Sequence, residues 1–404
     1  MVVAPLPPDP ARLAAIREAL PALGAGVYLN TAAAGPLPAE TARAMSTIAA
    51  AELTMGRAHP HDPADTLERI GEARASIAAI LAADLDAVAL TRGTSHGLAL
   101  GLGAIDWRPG DRAVVLAEPG DTVGWPLNSL ASAGVEVVSD WVGSAEDTAA
   151  MLERMRMFPD GTRAVVLPDA MPGTGLRLPV PQIADRAHAM GALVLVDASS
   201  TVGAMALEPT GCGADMVAFP SERWLLGPAG LGGAWFGHSM LDRIRNIDAP
   251  AFGDAFSAGV EDAAWLPSLS AVDRAGVVGF ARSCGWLSMH VGMPFAWART
   301  TELATWLAAA LGTIPGVTVL TPSGQMAAIV TFRIVGWAAS AALDELGPRI
   351  FLIAGQASSL DAIRLSVGAW TSAAELTRVV ESIELLASHT PATIPPRRTL
   401  TVLP

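Results

Sequence analysis

The chain has 404 residues, 51% of them hydrophobic and 16% charged, with a formal net charge of −13, enough apolar content for a substantial core in one large domain plus a smaller one. That acidic balance, with no basic cluster to neutralise phosphates, argues against nucleic acid and points to small molecules as partners. Two cysteines, Cys212 and Cys284, are too few for a disulfide framework or a zinc site. The proline-bearing start MVVAPLPPDPAR lacks the basic-then-apolar pattern of a signal segment, so a reducing, cytoplasmic setting is expected.

Short apolar runs alternate with helical patterns from residue 26 to about 240: VYL, AVAL, AVVL, VEVV, AVVLP, ALVLVD, MVAF and GGAWF read as strands. The alternation predicts an α/β fold with a mostly parallel, doubly wound sheet. Helices cover both faces of such a sheet, and its ligand site lies at the carboxyl ends of the strands. After residue 275 the texture changes. A helix near 293–312, strands near 317–320, 327–332 and 361–366, and a helix near 372–388 predict a smaller α+β domain. Leu303 to Phe332 carries no charge, but Pro315, Gly316 and the turn Pro322-Ser323-Gly324 divide it into a helix and two strands, not a membrane span. The expected organisation is an N-terminal segment over 1–25, a large α/β domain over 26–250, a connecting segment over 251–274, a small domain over 275–390 and an extended tail over 391–404.

All 26 basic side chains are arginine, where on the order of twenty lysines would be usual. Codon bias accounts for such a count, and so does selection against amines near a reactive carbonyl. Either way, no side chain carries a primary amine.

Several stretches have physical meaning by themselves. Gly93-Thr94-Ser95 opens a helical run, so Thr94 or Ser95 can cap it while backbone N–H groups face an anion. Asp197 ends the strand ALVLV, where a carboxylate is expected to be exposed at the carboxyl edge of the sheet, as a cap or as a ligand partner. Arg364, in AIRLS, offers a planar fork that suits a carboxylate or a surface ion pair. His59 and His61, in RAHPHDP, have no cysteine or carboxylate cluster of recognised spacing nearby and read as a loop, so no metal is expected. His188 reads as a surface residue of a helix, and Trp286, Trp297, Trp306 and Trp337 as core or subunit contact.

The phrases YLNTAAAGPLP (28–38), TRGTSHGLAL (91–100), PGDTVGWPLNSL (119–130), GALVLVDASSTVG (191–203), GADMVAFPSERWLLGPAGLGG (213–233) and IRLS (363–366) together resemble the class V aminotransferase family of fold type I pyridoxal phosphate proteins. That family includes cysteine desulfurases and isopenicillin epimerase-like enzymes, and the ergothioneine-type carbon–sulfur lyases look most similar. The resemblance covers roughly residues 26–388 and implies a homodimer that builds each cleft from two subunits. It implies that the Thr94-Ser95-His96 corner meets the cofactor phosphate, that Asp197 pairs with the pyridine nitrogen, and that Arg364 forks onto the substrate carboxylate, with Asn30 and Thr31 at the entrance. In the family a lysine holds the cofactor as a Schiff base. By the resemblance, Arg223 takes its place.

A guanidinium with a pKa above about 12 neither loses its proton nor attacks a carbonyl. Where relatives set a serine and a histidine on the phosphate, this chain has Pro220 and Glu222, and a carboxylate beside a dianion is repelled. The loop PGDTVGWPLN offers no histidine or tyrosine to stack on the ring. Pro172 stands near a family asparagine, and Ser200 replaces a family glutamine.

The expectation is a small-molecule enzyme of lyase, cyclase or transferase type that binds no cofactor covalently and takes an anionic, amino-acid-like substrate. Its catalytic candidates are Arg223, Glu222, Asp197 and His96; its binding candidates are Asn30, Thr31, Thr94, Ser95 and Arg364. Three alternatives stand beside it: an enzyme holding pyridoxal or pyridoxamine phosphate noncovalently, an inactive homologue used as a partner subunit, and an Arg223 that simply closes on Asp197 as an ion pair. Borohydride reduction after incubation with pyridoxal phosphate should add no mass to any side chain; peptide mass spectrometry showing a reduced adduct beyond the α-amino group would contradict the reading.

Overall fold

The computed structural model describes residues 9–57, 62–117, 130–140, 158–245 and 273–397, together with Pro5, Leu127 and Glu153. Its first half contains α1 (Pro10–Glu18), β1 (Val27–Leu29), α2 (Ala39–Met55), α3 (Asp62–Leu81), β2 (Val88–Thr91), α4 (Thr94–Gly103), β3 (Arg112–Leu116), β4 (Glu136–Asp140), β5 (Thr162–Pro168), α5 (Val180–Ala189) and β6 (Leu193–Asp197). There follow β7 (Met216–Pro220), β8 (Gly232–Phe236), α6 (His238–Arg245), α7 (Arg274–Trp286), α8 (Met293–Gly312), β9 (Val317–Val319), β10 (Ile329–Ile334), α9 (Ala339–Ile350), β11 (Leu352–Ala357), β12 (Ala362–Ser366) and α10 (Ala373–Ala387).

The larger sheet runs β2-β8-β7-β6-β5-β3-β4. Its central strands are buried nearly end to end, as expected for a sheet covered on both faces rather than one with a solvated side. The α5 helix shows how the cover is built: Val180, Ile183, Ala184 and Ala187 make one buried stripe, while Arg186 and His188 sit in its last turn, where cations suit the helix dipole. His188 is exposed as expected, with Nε2 2.8 Å from Asp215 Oδ2.

Neighbours from β7 through β4 are parallel, and β8 alone is antiparallel to both β7 and β2. The strands β2, β5, β6 and β7 therefore all end at the same edge. The residues leaving that edge are Arg92-Gly93, Asp169, Ala198-Ser199 and Ser221-Glu222-Arg223.

The smaller sheet runs β1-β11-β12-β10-β9. Here the structure differs from expectation: VYL, read as the first strand of the large unit, pairs in parallel with β11 of the smaller sheet. Two further elements, α9 and β11, went unread in the sequence. Gly347 and Pro348 interrupt the helical pattern of α9, and Gly355 weakens the apolar run of β11. The α10 helix has a capping box between Ser372 and Glu375, and Glu375 also takes a bidentate bond from Arg17 of α1. The described end of the C-terminal tail is held by Arg397 on Glu345 and on the Asp344 carbonyl of α9. Trp286 and Trp337 are buried, Trp297 and Trp306 half-buried. Among the described residues, no helix is long and apolar enough to cross a membrane.

The two sheets are joined beside the shared edge. Thr331 Oγ1 donates to the Gly173 carbonyl at 2.6 Å and Thr321 Oγ1 to the Thr174 carbonyl at 2.6 Å. The backbone N–H groups of Arg177 and Ala327 donate to the carbonyls of Gln325 and Gly175, each at 2.8 Å. On the other side of the cleft, Trp224 is fully buried and its indole donates to the Val367 carbonyl at 3.0 Å. Gly203 lets the Trp224 backbone approach: its φ is +89°, and a Cβ there would stand 2.7 Å from the Trp224 carbonyl carbon. Gly203→Ala should lower stability by roughly 2 kcal/mol or more through left-handed strain and collision. Gly24→Ala, which meets open space, should be near neutral; paired urea denaturation curves read the contrast.

Candidate functional site

The turn after β7 is tightly self-bonded. Gly227 N–H donates to the Ser221 carbonyl at 2.8 Å, Leu226 N–H to the Arg223 carbonyl at 3.2 Å, and Ser221 Oγ to the Pro228 carbonyl. Leu226 adopts φ +54°, a left-handed conformation rare for a branched side chain. Residues 30–35 lie over this turn: Gly35 N–H donates to the Glu222 carbonyl at 2.7 Å, and a Cβ on Gly35 would meet the Arg223 carbonyl oxygen at 2.4 Å.

Arg223 is half-buried and does not pair with Asp197. Its Nη1 donates to Ser199 Oγ at 2.8 Å, with the Ser199 carbonyl at 3.4 Å, and Ser199 N–H in turn donates to Asp197 Oδ1 at 2.8 Å. Among the described residues no ion pair joins the two, so the alternative in which Arg223 closes directly on Asp197 is overturned. Ser199 stands between them.

Asp197 itself corrects a second expectation. It is only 3% exposed, because the turn from Ala198 to Met205 folds back over the strand end instead of leaving it open. Beside it stands Asp169, which the sequence reading passed over. Asp169 follows the last residue of β5, its N–H donates to the Asp197 carbonyl at 3.0 Å, and one carboxylate oxygen accepts from Thr201. Burial, with the nearby Asp197 charge adding to it, raises the Asp169 carboxyl to about 7; the Thr201 hydroxyl, Arg177 and the Ala170 N–H oppose the shift. An aspartate directly after the apolar run AVVLP, placed as Asp197 is at the end of ALVLV, was the available signal.

The other candidates surround this floor. Arg364, on β12, donates from Nη1 to the Pro172 carbonyl at 3.2 Å. A Cβ on Gly355 would stand 2.8 Å from Asn30 Oδ1 and 3.2 Å from Arg364 Nη2, so Asn30 and Arg364 meet above that glycine. Asn30 also bridges Ser366, and Thr31 is fully buried.

The α4 corner stands beside the β7 and β8 ends, since a Cβ on Gly232 would lie 2.8 Å from Gly93 Cα and 2.3 Å from the Phe219 carbonyl oxygen. Neither Thr94 nor Ser95 caps the helix, contrary to expectation. Gly93 is the N-cap, with φ +106° and no side-chain bond, so Thr94 and Ser95 are already helical. His96 Nδ1 accepts from Arg92 N–H at 3.1 Å; burial, then the Arg92 charge, holds its pKa below the usual value, so the ring is neutral near pH 7. The loop PGDTVGWPLN, apart from Leu127, and His59 and His61 fall outside the described residues.

Among the described residues, five buried oxygens around this edge lack a hydrogen-bond partner: Asn30 Oδ1, Thr31 Oγ1, Asp169 Oδ1, Ser200 Oγ and Glu222 Oε2. Each such atom costs about 1–3 kcal/mol unless something meets it. A pyridine nitrogen would find Asp197, and the uncapped amides of α4 suit an anion. A cofactor aldehyde would find no amine, because Arg223 offers a guanidinium and the chain has no lysine. Asp197 and the α4 amides suit an untethered ring, Glu222 opposes its phosphate, and no side chain of this sequence can tether it.

The sequence profile of the class-V aminotransferases matches residues 27–379. A probable cysteine desulfurase of Methanothermobacter thermautotrophicus is 29% identical over 220 residues, 54% of this chain and 54% of that protein. Isopenicillin N epimerase of Streptomyces clavuligerus is 26% identical over 400 residues, 90% of this chain and 95% of that one. The chain spans about half the length of the first of the curated relatives it matches.

Among solved structures, a lysine-to-alanine mutant of C-DES with glycine covalently linked to its pyridoxal phosphate cofactor superposes with a TM-score of 0.80, at 19% identity, covering 91% of this chain and 98% of that one. The apo cysteine desulfurase of Thermococcus onnurineus NA1 gives 0.77 at 18% identity, covering 96% and 100%. At that identity the structures establish the fold, which is that of the fold type I aminotransferases. The match spanning both sheets and the whole described cleft makes the chain a member of the class-V aminotransferase family.

Proposed function

We propose that this protein is a small-molecule enzyme that takes an anionic, amino-acid-like substrate at the shared strand edge and acts on it by proton transfer, as a lyase, cyclase or transferase. The observation that supports this most directly is the set of five partnerless buried oxygens. Of these, Asn30 Oδ1 and an ionised Glu222 only accept, and the Thr31 and Ser200 hydroxyls can accept, so a ligand that brings hydrogen-bond donors, as an ammonium group does, satisfies them. Arg223 and Arg364 are among the cations nearby, and guanidinium forks suit carboxylates. Donors at one end and an anion at the other describe an amino acid.

On this reading Arg364 and Asn30 orient the substrate carboxylate from the smaller sheet, while Arg223, fixed by Ser199, adds positive charge from the larger one. Asp197 holds the ammonium end. His96, neutral near pH 7, and Glu222 are the remaining proton carriers. Closure of the cleft by a second subunit and a reducing, cytoplasmic location belong to the proposal.

A second reading is favoured by Asp197, which has a buried position at the end of β6 and no cation bound to it directly. Asp197 and the α4 amides would then hold a pyridoxal or pyridoxamine phosphate ring without a covalent bond. Such a ring supplies an electron sink for a substrate carbanion. Family membership supports this reading as well.

Thermal-shift and calorimetric titration with free amino acids, before and after passage over a desalting column with added pyridoxamine phosphate, tests both readings. The first expects stabilisation by an amino acid alone, and an Arg364→Ala variant whose affinity falls about 10- to 100-fold, the range for a lost charge-assisted bond. Retained absorbance near 330 nm after desalting would favour the second. Failure of every amino acid to bind, with or without the ring, would overturn both.

A further inference from the structure

We infer that Asp169 holds the transferable proton of the cleft: a neutral carboxyl beside ionised Asp197, with Oδ1 presenting a hydrogen-bond donor to the ligand. The inference rests on the proposed function only for the ligand. The geometry of the carboxyl pair supports the rest. Asp169 and Asp197 are each 3% exposed, they leave adjacent parallel strands, and the Asp169 N–H is bonded to the Asp197 carbonyl. Burial disfavours a second negative charge at this edge, and the nearby Asp197 charge adds to that for Asp169, so one proton is retained.

The bonding pattern decides which residue keeps it. Asp197 Oδ1 accepts the Ser199 N–H, and Arg223 reaches the same serine, so positive charge and a backbone donor both favour ionised Asp197. Asp169 has one donor, Thr201 Oγ1 on Oδ2, while Oδ1 is buried without a partner. A bare carboxylate oxygen in that position is costly. A protonated one becomes a donor awaiting an acceptor, such as a carbonyl or enolate oxygen of the ligand.

The influences on the Asp169 carboxyl are opposed, and those that raise its proton affinity prevail. Asp197 on β6 raises its proton affinity, and burial raises it most; Thr201 on the following turn, Arg177 on the segment after β5 and the Ala170 N–H lower it without reversing the shift. Cys212 also feels the Asp169 charge, and its own thiol is pushed up mainly by burial, so it adds no competing charge. In the reaction Asp169 would give its proton to the developing oxyanion and recover one from the product or from solvent, a transfer that needs no oxidant or reductant.

Aspartate labelled with 13C at its side-chain carboxyl, followed by NMR against pH in the ligand-free protein, reads this directly. One carboxyl should titrate with a midpoint of about 7 and disappear in Asp169→Asn, which copies the shape of the protonated acid. Thr201→Val removes a bond that favours the ionised form and should move the midpoint up; Asp197→Asn removes the like charge and should move it down. Because the folded-state pKa is raised, its contribution to stability is complete below the unfolded value, about 4, and is lost as pH rises through 7. The melting temperature should therefore fall less steeply between pH 5 and 8 in Asp169→Asn than in the parent, a readout that a purely structural role would not move. An Asp169 resonance titrating near pH 4 would overturn the inference. Because no ligand is used, that result is separable from a failure of amino acids to bind.

Discussion

The cleft is governed by two carboxylates that the parallel sheet brings to one place. Their strands are parallel neighbours, and burial removes the water that would screen one negative charge from the other. Everything around Asp169 and Asp197 answers that repulsion. Ser199 N–H supports one carboxylate, Thr201 the other, and Arg223 is held close enough to act through Ser199 without touching Asp197. A lysine at position 223 would bring a compact, mobile charge to this position; the guanidinium instead engages the hydroxyl and the carbonyl of one serine from a single nitrogen.

Much of the fold could be read from the sequence because fully buried parallel strands are unbroken apolar runs. AVVLP, ALVLVD, MVAF and GGAWF needed only that rule, and the helix Met293–Gly312 needed only its length and charge pattern. Sheet membership was harder. VYL satisfies the strand rule equally in either sheet, and only its pairing with Leu352–Ala354, more than 300 residues away, assigns it. The helix Ala339–Ile350 was hidden by its own Gly347 and Pro348, because local propensity argued against what tertiary packing enforces.

The site was legible in part, and in a characteristic way. Arg223, Glu222, Asp197, Asn30 and Arg364 stand out as residue types, and topology and close contacts gather them. What sequence could not give was burial. Asp197 looked like an exposed strand end, and only the folded turn from Ala198 to Met205 makes it an interior charge. Asp169 escaped notice for the same reason: its importance comes from a neighbour one strand over, which no linear spacing records. Thr94 and Ser95 fail as caps because Gly93, with its positive φ, already begins the helix.

The seam between the sheets limits how this cleft can breathe. Residues 173–177 are stitched to Thr321, Gln325, Ala327 and Thr331 by four hydrogen bonds, and Gly175 lies so close to Ile329 that a methyl group would meet its carbonyl oxygen at 2.5 Å. On the opposite flank Trp224 is anchored to Val367. With both flanks fastened, a jaw-like swing of the two halves would require breaking several buried bonds at once. Admission of a guest then falls to local rearrangement of side chains and surface turns. Such a receptor resembles a lock with a small sliding bolt more than a hinged box.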